Sequence, residues 1–124
     1  MLNLTLKETN TTPYVRFHTS GKLEISGKSL PDIAAIFYDP ILEWIEDYCQ
    51  QLPNETKITI GLSYLNTATM HYIKEIIIHL AEAYEDKPGK LHIIWEIDEE
   101  DEDLMELVDI FQSLLSIKIK TVLL

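Results

Sequence analysis

The sequence predicts a single α/β domain, 1–124, with a mixed β-sheet and helices packed on it. Three observations point there. The first quarter of the chain carries short segments of alternating apolar residues, with turn residues between them. From Pro31 onward, segments with apolar residues at helical spacing alternate with segments at strand spacing. No internal repeat divides the 124 residues, and no linker is long enough to split them. Strands first, then alternating helices and strands, imply a mixed sheet with helices on it.

The elements follow in order. Tyr14, Val15 and Phe17 lead into Ser20-Gly21, and Leu23 and Ile25 alternate beyond it, which predicts a hairpin turned by Gly21. Gly27 to Asp32 reads as a loop. Pro31 suits a helix start, and Ile33, Ile36 and Phe37 follow at helical spacing. Pro40 interrupts that pattern, so a second helix capped by Asp39 is expected, with Ile41, Ile45 and Tyr48 on one face and Leu42 and Cys49 beside it. Lys57 to Tyr64 alternates as a strand with Ile58, Ile60, Leu62 and Tyr64 pointing one way. A helix from about Thr67 to Glu85 repeats Met70, Ile73, Ile77, Leu80 and Tyr84, and Pro88 and Gly89 break it. Leu91 to Ile97 is nearly continuous apolar residues, which predicts a central strand covered on both faces. Leu104, Leu107, Val108, Phe111, Leu114 and Leu115 predict an amphipathic helix, and Ile117, Ile119 and Val122-Leu123-Leu124 a last strand.

Composition narrows the function. Hydrophobic residues make up 46% and charged residues 25%, a globular balance. Cys49 is the one cysteine, so no internal disulfide is expected, and its place on an apolar helix side predicts an inert thiol. Net charge is −11, from 21 acids against 10 bases. That argues against nucleic acid or anionic membrane as partner, because both need clustered Lys and Arg. It suits a protein that docks on basic protein surfaces. The N-terminus has no signal-peptide pattern and no segment reaches membrane-spanning length, so the expected location is cytoplasmic.

Tyr64-Leu65-Asn66-Thr67-Ala68-Thr69 is the most informative stretch. It closes a strand pattern and opens a helix pattern. Asn66, Thr67 and Thr69 therefore sit where the first backbone N–H groups of a helix need partners. Capping is the commoner role for such residues. A phosphate also suits the position, because those N–H groups and the helix dipole favour negative charge.

Other motifs carry less. The acidic run Asp98–Asp103 could gather a hard cation. It has no glycine to fold a ligand loop, and it precedes a helix whose N-terminus acids stabilise. A solvated helix start is preferred, an acidic docking patch comes second, and metal third. His71 and His79 are too far apart for one metal, and His18 and His92 fall in strands. The glycines are isolated turn residues rather than a phosphate loop, and Trp44 and Trp95 read as core. No metal, no cofactor and no catalytic constellation is expected.

Several segments together resemble the SiaC family of bacterial regulatory phosphoproteins, whose fold is like that of the STAS domains. They are Ile25-Ser26-Gly27-Lys28-Ser29-Leu30-Pro31-Asp32, Phe37-Tyr38-Asp39-Pro40-Ile41-Leu42-Glu43-Trp44, Tyr64-Leu65-Asn66-Thr67, and Ile94-Trp95 before the acidic run. The chain departs from the family pattern at Ala68–His71 and at Glu96-Ile97. The resemblance implies a non-catalytic switch. A threonine kinase would phosphorylate Thr67, and a PP2C-type phosphatase would reverse it. The unphosphorylated form would bind and activate a diguanylate cyclase, linking it to cyclic-di-GMP and biofilm signalling. Asn66, Thr69, Lys28, Ser29 and Leu30 are the expected partner-binding residues beside Thr67, with Thr69 as the competing acceptor. The rival readings are a small-molecule-binding module or enzyme on the same sheet, and a purely structural subunit.

Overall fold

The computed structural model describes residues 1–87 and 89–124; Pro88, expected to help break the helix from about Thr67 to Glu85, lies outside the described residues. Six strands form one mixed sheet in chain order: β1 (Leu4–Leu6), β2 (Tyr14–Phe17), β3 (Lys22–Ser29), β4 (Thr56–Leu65), β5 (Leu91–Ile97) and β6 (Lys120–Leu123). β1, β2 and β3 pair antiparallel, and β3 through β6 pair parallel. Three helices make the crossovers: α1 (Ala34–Cys49), α2 (Thr67–Ala83) and α3 (Glu102–Leu115).

The hairpin forms as expected. Gly21, at φ +113°, donates its N–H to the His18 carbonyl at 3.0 Å and turns β2 into β3. Strand β3 runs on through Gly27–Ser29, where a loop was expected. Gly27, at φ +105°, is passed closely by the Glu8 carboxylate where a Cβ would stand.

Parallel crossovers are right-handed as a rule, and three of them in succession between neighbouring strands put every helix on one face of the sheet. Burial agrees. Ile58, Ile60, Leu62, Ile93, Trp95 and Ile97 are buried against the helix layer, while Lys57, Thr59, His92, Ile94 and Glu96 on the other face are exposed or half-buried. This corrects the expectation that β5 is covered on both faces. It is an interior strand with one open face, and Ile94 makes its sequence look doubly buried.

Two more expectations change. Ala34–Cys49 forms one helix rather than two, with Pro40 inside it. Pro40 removes the N–H that would meet the Ile36 carbonyl, but both residues are exposed, so water can satisfy that carbonyl. In α3, Leu104, Val108 and Phe111 are buried, whereas Leu107, Ile110 and Leu114 lie exposed.

The core holds α1 by Tyr38, Ile41, Ile45 and Tyr48, and α2 by Ile73, Ile76, Ile77 and Leu80. Far from the Asn66–Thr69 segment, the Thr56 hydroxyl bridges the Tyr48 and Tyr84 hydroxyls at 2.6 and 2.7 Å, and Tyr84 donates to the Pro53 carbonyl at 2.8 Å. Trp44 is half-buried: it stacks on Tyr48 and donates from Nε1 to the Leu2 carbonyl at 2.9 Å.

Candidate functional site

The site is built where β3 and β4 end. The two strands keep register from Lys22 opposite Lys57 to Gly27 opposite Leu62. The next pairs are Lys28 with Tyr64 and Ser29 with Leu65, so Ser63 is an extra residue on β4. A bulge of this kind shifts the alternation by one. Tyr64 therefore leaves the side of Ile58, Ile60 and Leu62, where it was expected, and stands 64% exposed.

Asn66 then turns the chain into α2. Its backbone N–H donates to the Ser29 carbonyl at 3.2 Å, and its side-chain Oδ1 accepts the Thr69 N–H at 2.9 Å. Asn66 is thus the cap. Thr67 is the first helical residue and is exposed; its hydroxyl has no hydrogen-bond partner among the described residues.

Thr69 is fully buried. Its hydroxyl donates to the Ser29 carbonyl at 3.0 Å and lies 2.7 Å from the Ser29 hydroxyl. Ser29, also fully buried, lies 2.5 Å from the Tyr38 hydroxyl. Each hydroxyl has one proton, so a single order satisfies all three: Tyr38 donates to Ser29, Ser29 to Thr69, and Thr69 to the Ser29 carbonyl. Burial raises the Tyr38 pKa above its ordinary value, partly offset by its hydrogen bonds to Ser29 and Thr69, and keeps the ring a neutral donor. The Tyr38 ring stacks on Tyr72 at 5.2 Å, and Tyr72 donates to Asp39 at 2.8 Å. That hydrogen bond raises the Tyr72 pKa. This network ties β3, α1 and the first turn of α2 together. Its hydroxyl chain from Tyr38 through Ser29 and Thr69 ends on a backbone carbonyl rather than a base, which suits holding position.

Of the expected site residues, Thr67, Lys28 and Leu30 reach the surface, Asn66 is half-buried, and Ser29 and Thr69 form the support beneath. The loop after Ser29 brings more apolar surface. Leu30, Ile33 and Ile36 are 41%, 61% and 72% exposed. Ile33, Ile36 and Phe37 line a shallow trough of about 360 Å³ with Thr11, Thr12, Pro31 and Asp32. A second trough, about 470 Å³, joins Ser63 and Tyr64 to Asp98, Glu100 and Asp101 of the acidic run. Sequence reasoning read Ile33 and Ile36 only as apolar residues at helical spacing with Phe37, which does not say whether they are covered. Only their position ahead of the first core residue of α1, Tyr38, separates them from core residues.

The acidic run serves its helix. Asp101 Oδ1 accepts the Leu104 N–H at 3.1 Å as the cap of α3, and Asp98 Oδ1 accepts the Glu100 N–H at 2.9 Å. Among the described residues, no three His, Cys, Asp or Glu side chains are placed to share a metal ion. No helix among them is long and apolar enough to cross a membrane.

Known proteins resemble the chain along its length. A solved structure of apo-SiaC from Pseudomonas aeruginosa superposes with a TM-score of 0.86 at 23% identity, covering 98% of each chain. SiaC in a crystal structure of the diguanylate cyclase SiaD with its activator SiaC, from the same organism, superposes with a TM-score of 0.88 at 23% identity, covering 98% of this chain and 99% of that one. An uncharacterised protein of Pseudomonas aeruginosa strain UCBPP-PA14 is 25% identical over 114 residues, 90% of this chain and 89% of the relative. The model of the SiaC family regulatory phosphoproteins matches residues 6–124. With the match spanning nearly the whole sheet, its helices and the Asn66–Thr69 junction, the chain belongs to the SiaC family of regulatory phosphoproteins.

Proposed function

We propose that this chain is a cytoplasmic phospho-switch adaptor in which Thr67 is the regulated residue. Its unphosphorylated form binds and activates a diguanylate cyclase, as SiaC of Pseudomonas aeruginosa is the activator of SiaD. A threonine kinase adds the phosphate and a PP2C-type phosphatase removes it. The observation that carries the reading is the contrast between the two threonines. Thr67 stands exposed with an unused hydroxyl at the first position of α2, and Thr69 is buried with its hydroxyl engaged twice.

A phosphate at Thr67 adds about −1.5 to −2 charges. The domain tolerates it, because the start of α2 offers a favourable dipole and N–H groups outside the helical ladder. The effect falls on the partner. Lys28 and Tyr64 are exposed where β3 and β4 lead into the junction, and Leu30, Ile33 and Ile36 are exposed apolar residues in the segment that follows β3. A partner covering that surface must desolvate a dianion, far costlier than burying a hydroxyl.

The test is binding of a SiaD-type cyclase to three forms: unmodified chain, chain carrying phosphothreonine at 67, and Thr67→Ala. Unmodified and Thr67→Ala chains should bind and the phosphorylated chain should release. Equal binding of all three would end the mechanism. Phosphate mapping on protein co-expressed with its kinase should find Thr67, and phosphate undiminished in Thr67→Ala would end the site assignment.

A further inference from the structure

The open face of the sheet is not used by the switch. On it, Lys22 of β3, Lys57 of β4 and His92 of β5 stand in one cross-strand row. Lys57 and His92 line a trough of about 640 Å³ whose other wall is Lys118 and Lys120, and Leu91, Ile93 and Ile94 contribute to its lining. Four of the ten Lys and Arg residues of a chain with net charge −11 thus gather at the N-terminal ends of the parallel strands. That is the end of the sheet opposite Thr67.

The carboxylates nearby meet part of this cluster. Glu24 meets Lys22 at 3.4 Å, and Glu55 is shared between Lys90 at 3.4 Å and His92 at 4.0 Å. Among the described residues, no carboxylate lies within ion-pair distance of Lys57, Lys118 or Lys120. Glu24 and Glu96 line a neighbouring hollow with Lys22 and Lys57, so the charge left without a direct ion pair is concentrated on the side of Lys57, Lys118 and Lys120.

We propose that this lysine-walled trough binds a short acidic segment of a protein partner. Charge complementarity selects an anion, and size selects a short one. From β3 to β6 the patch spans three strand spacings, about 14 Å. Screening lets charges act over about 8–10 Å in physiological salt. A nucleic-acid duplex or anionic vesicle reaches well past the patch onto acidic surface, where it is repelled. The trough is open along the sheet, unlike the enclosed sites that bury most of a small ligand. An extended acidic peptide can lie in it with carboxylates against Lys57 on one wall and Lys118 and Lys120 on the other.

The experiment uses the full chain and a fluorescent poly-glutamate peptide, with poly-glutamine and inorganic pyrophosphate as competitors. The glutamate peptide should bind at low salt, weaken as salt rises, and shift backbone amide resonances on the open face of β4, β5 and β6. The triple variant K57Q/K118Q/K120Q should weaken binding roughly tenfold or more. K7Q/K74Q/K87Q, with the same charge change elsewhere, should not. No binding at low salt, equal loss in both variants, or resonance shifts elsewhere would overturn the proposal. Displacement by pyrophosphate at lower concentration than by unlabelled glutamate peptide would also overturn it, in favour of a small-anion site. Should the triple variant fail to fold, the resonance map of the unaltered chain decides alone.

Discussion

Thr67 and Thr69 are two residues apart and meet opposite fates, because successive helical residues turn by about 100° and these two point nearly opposite ways. The sequence showed that the junction is polar and near a helix start. It could not show which threonine faces inward, since that depends on where the end of β3 lies beneath α2. The consequences are measurable in urea unfolding. Thr67→Ala should stay within about 0.5 kcal/mol of the parent, as a surface change does. Thr69→Val keeps the shape but breaks the hydroxyl chain between Tyr38 and the Ser29 carbonyl, and should cost about 1–2 kcal/mol. Cys49 gives a chemical check at the same scale. Burial, with Glu46 adding to it, pushes its thiol up to about 11, and the Sγ lies 3.6 Å from the His79 carbonyl. The folded chain should therefore resist iodoacetamide at pH 8 and react fully once unfolded; rapid alkylation of folded protein would contradict this placement.

Elements were legible where periodicity is strong and were misread where one residue outweighed it. The helical spacing of Ile73, Ile77 and Leu80 and the turn at Gly21 carried through to α2 and the β2–β3 hairpin. Pro40 was weighted as a helix break, yet α1 keeps it because the lost hydrogen bond faces water. In β5 the apolar count suggested two covered faces, whereas His92 and Glu96 already marked the open one. The α3 segment has enough leucines to fill its buried face and leave others outside, so spacing alone did not separate Leu104 from Leu107. Its N-terminus was read correctly as helix-start chemistry. Replacing the cap, Asp101→Ala, should cost about 1 kcal/mol. Thermal midpoints with and without EDTA should coincide, and a large fall with chelator would show that the run Asp98–Asp103 holds a metal after all.

Across the whole molecule, the two buried hydroxyl networks link opposite ends of the helix layer to the sheet. Their tyrosines share one electrostatic condition. Burial raises Tyr38, Tyr84 and Tyr48 above the ordinary tyrosine value, Tyr48 to about 12. A raised acid contributes stability that is complete below its unfolded value of about 10 and is lost as pH climbs through the folded value. Thermal midpoints should therefore change little from pH 8 to 9.5 on their account and fall steeply between about pH 10 and 12. Tyr48→Phe should flatten part of that fall. The order of the six strands carries a further consequence, for how the chain assembles. Every strand lies beside the one made just before it, so no segment must be threaded between partners already joined, and each new βα unit meets a finished edge. Loop-closure entropy is then met in small instalments. The β2–β3 hairpin can template β4, β4 can template β5, and the sheet can lengthen in step with synthesis. Pulse-labelled hydrogen exchange during refolding should accordingly protect β3 and β4 before β6; protection of β6 first would contradict growth from the hairpin outward.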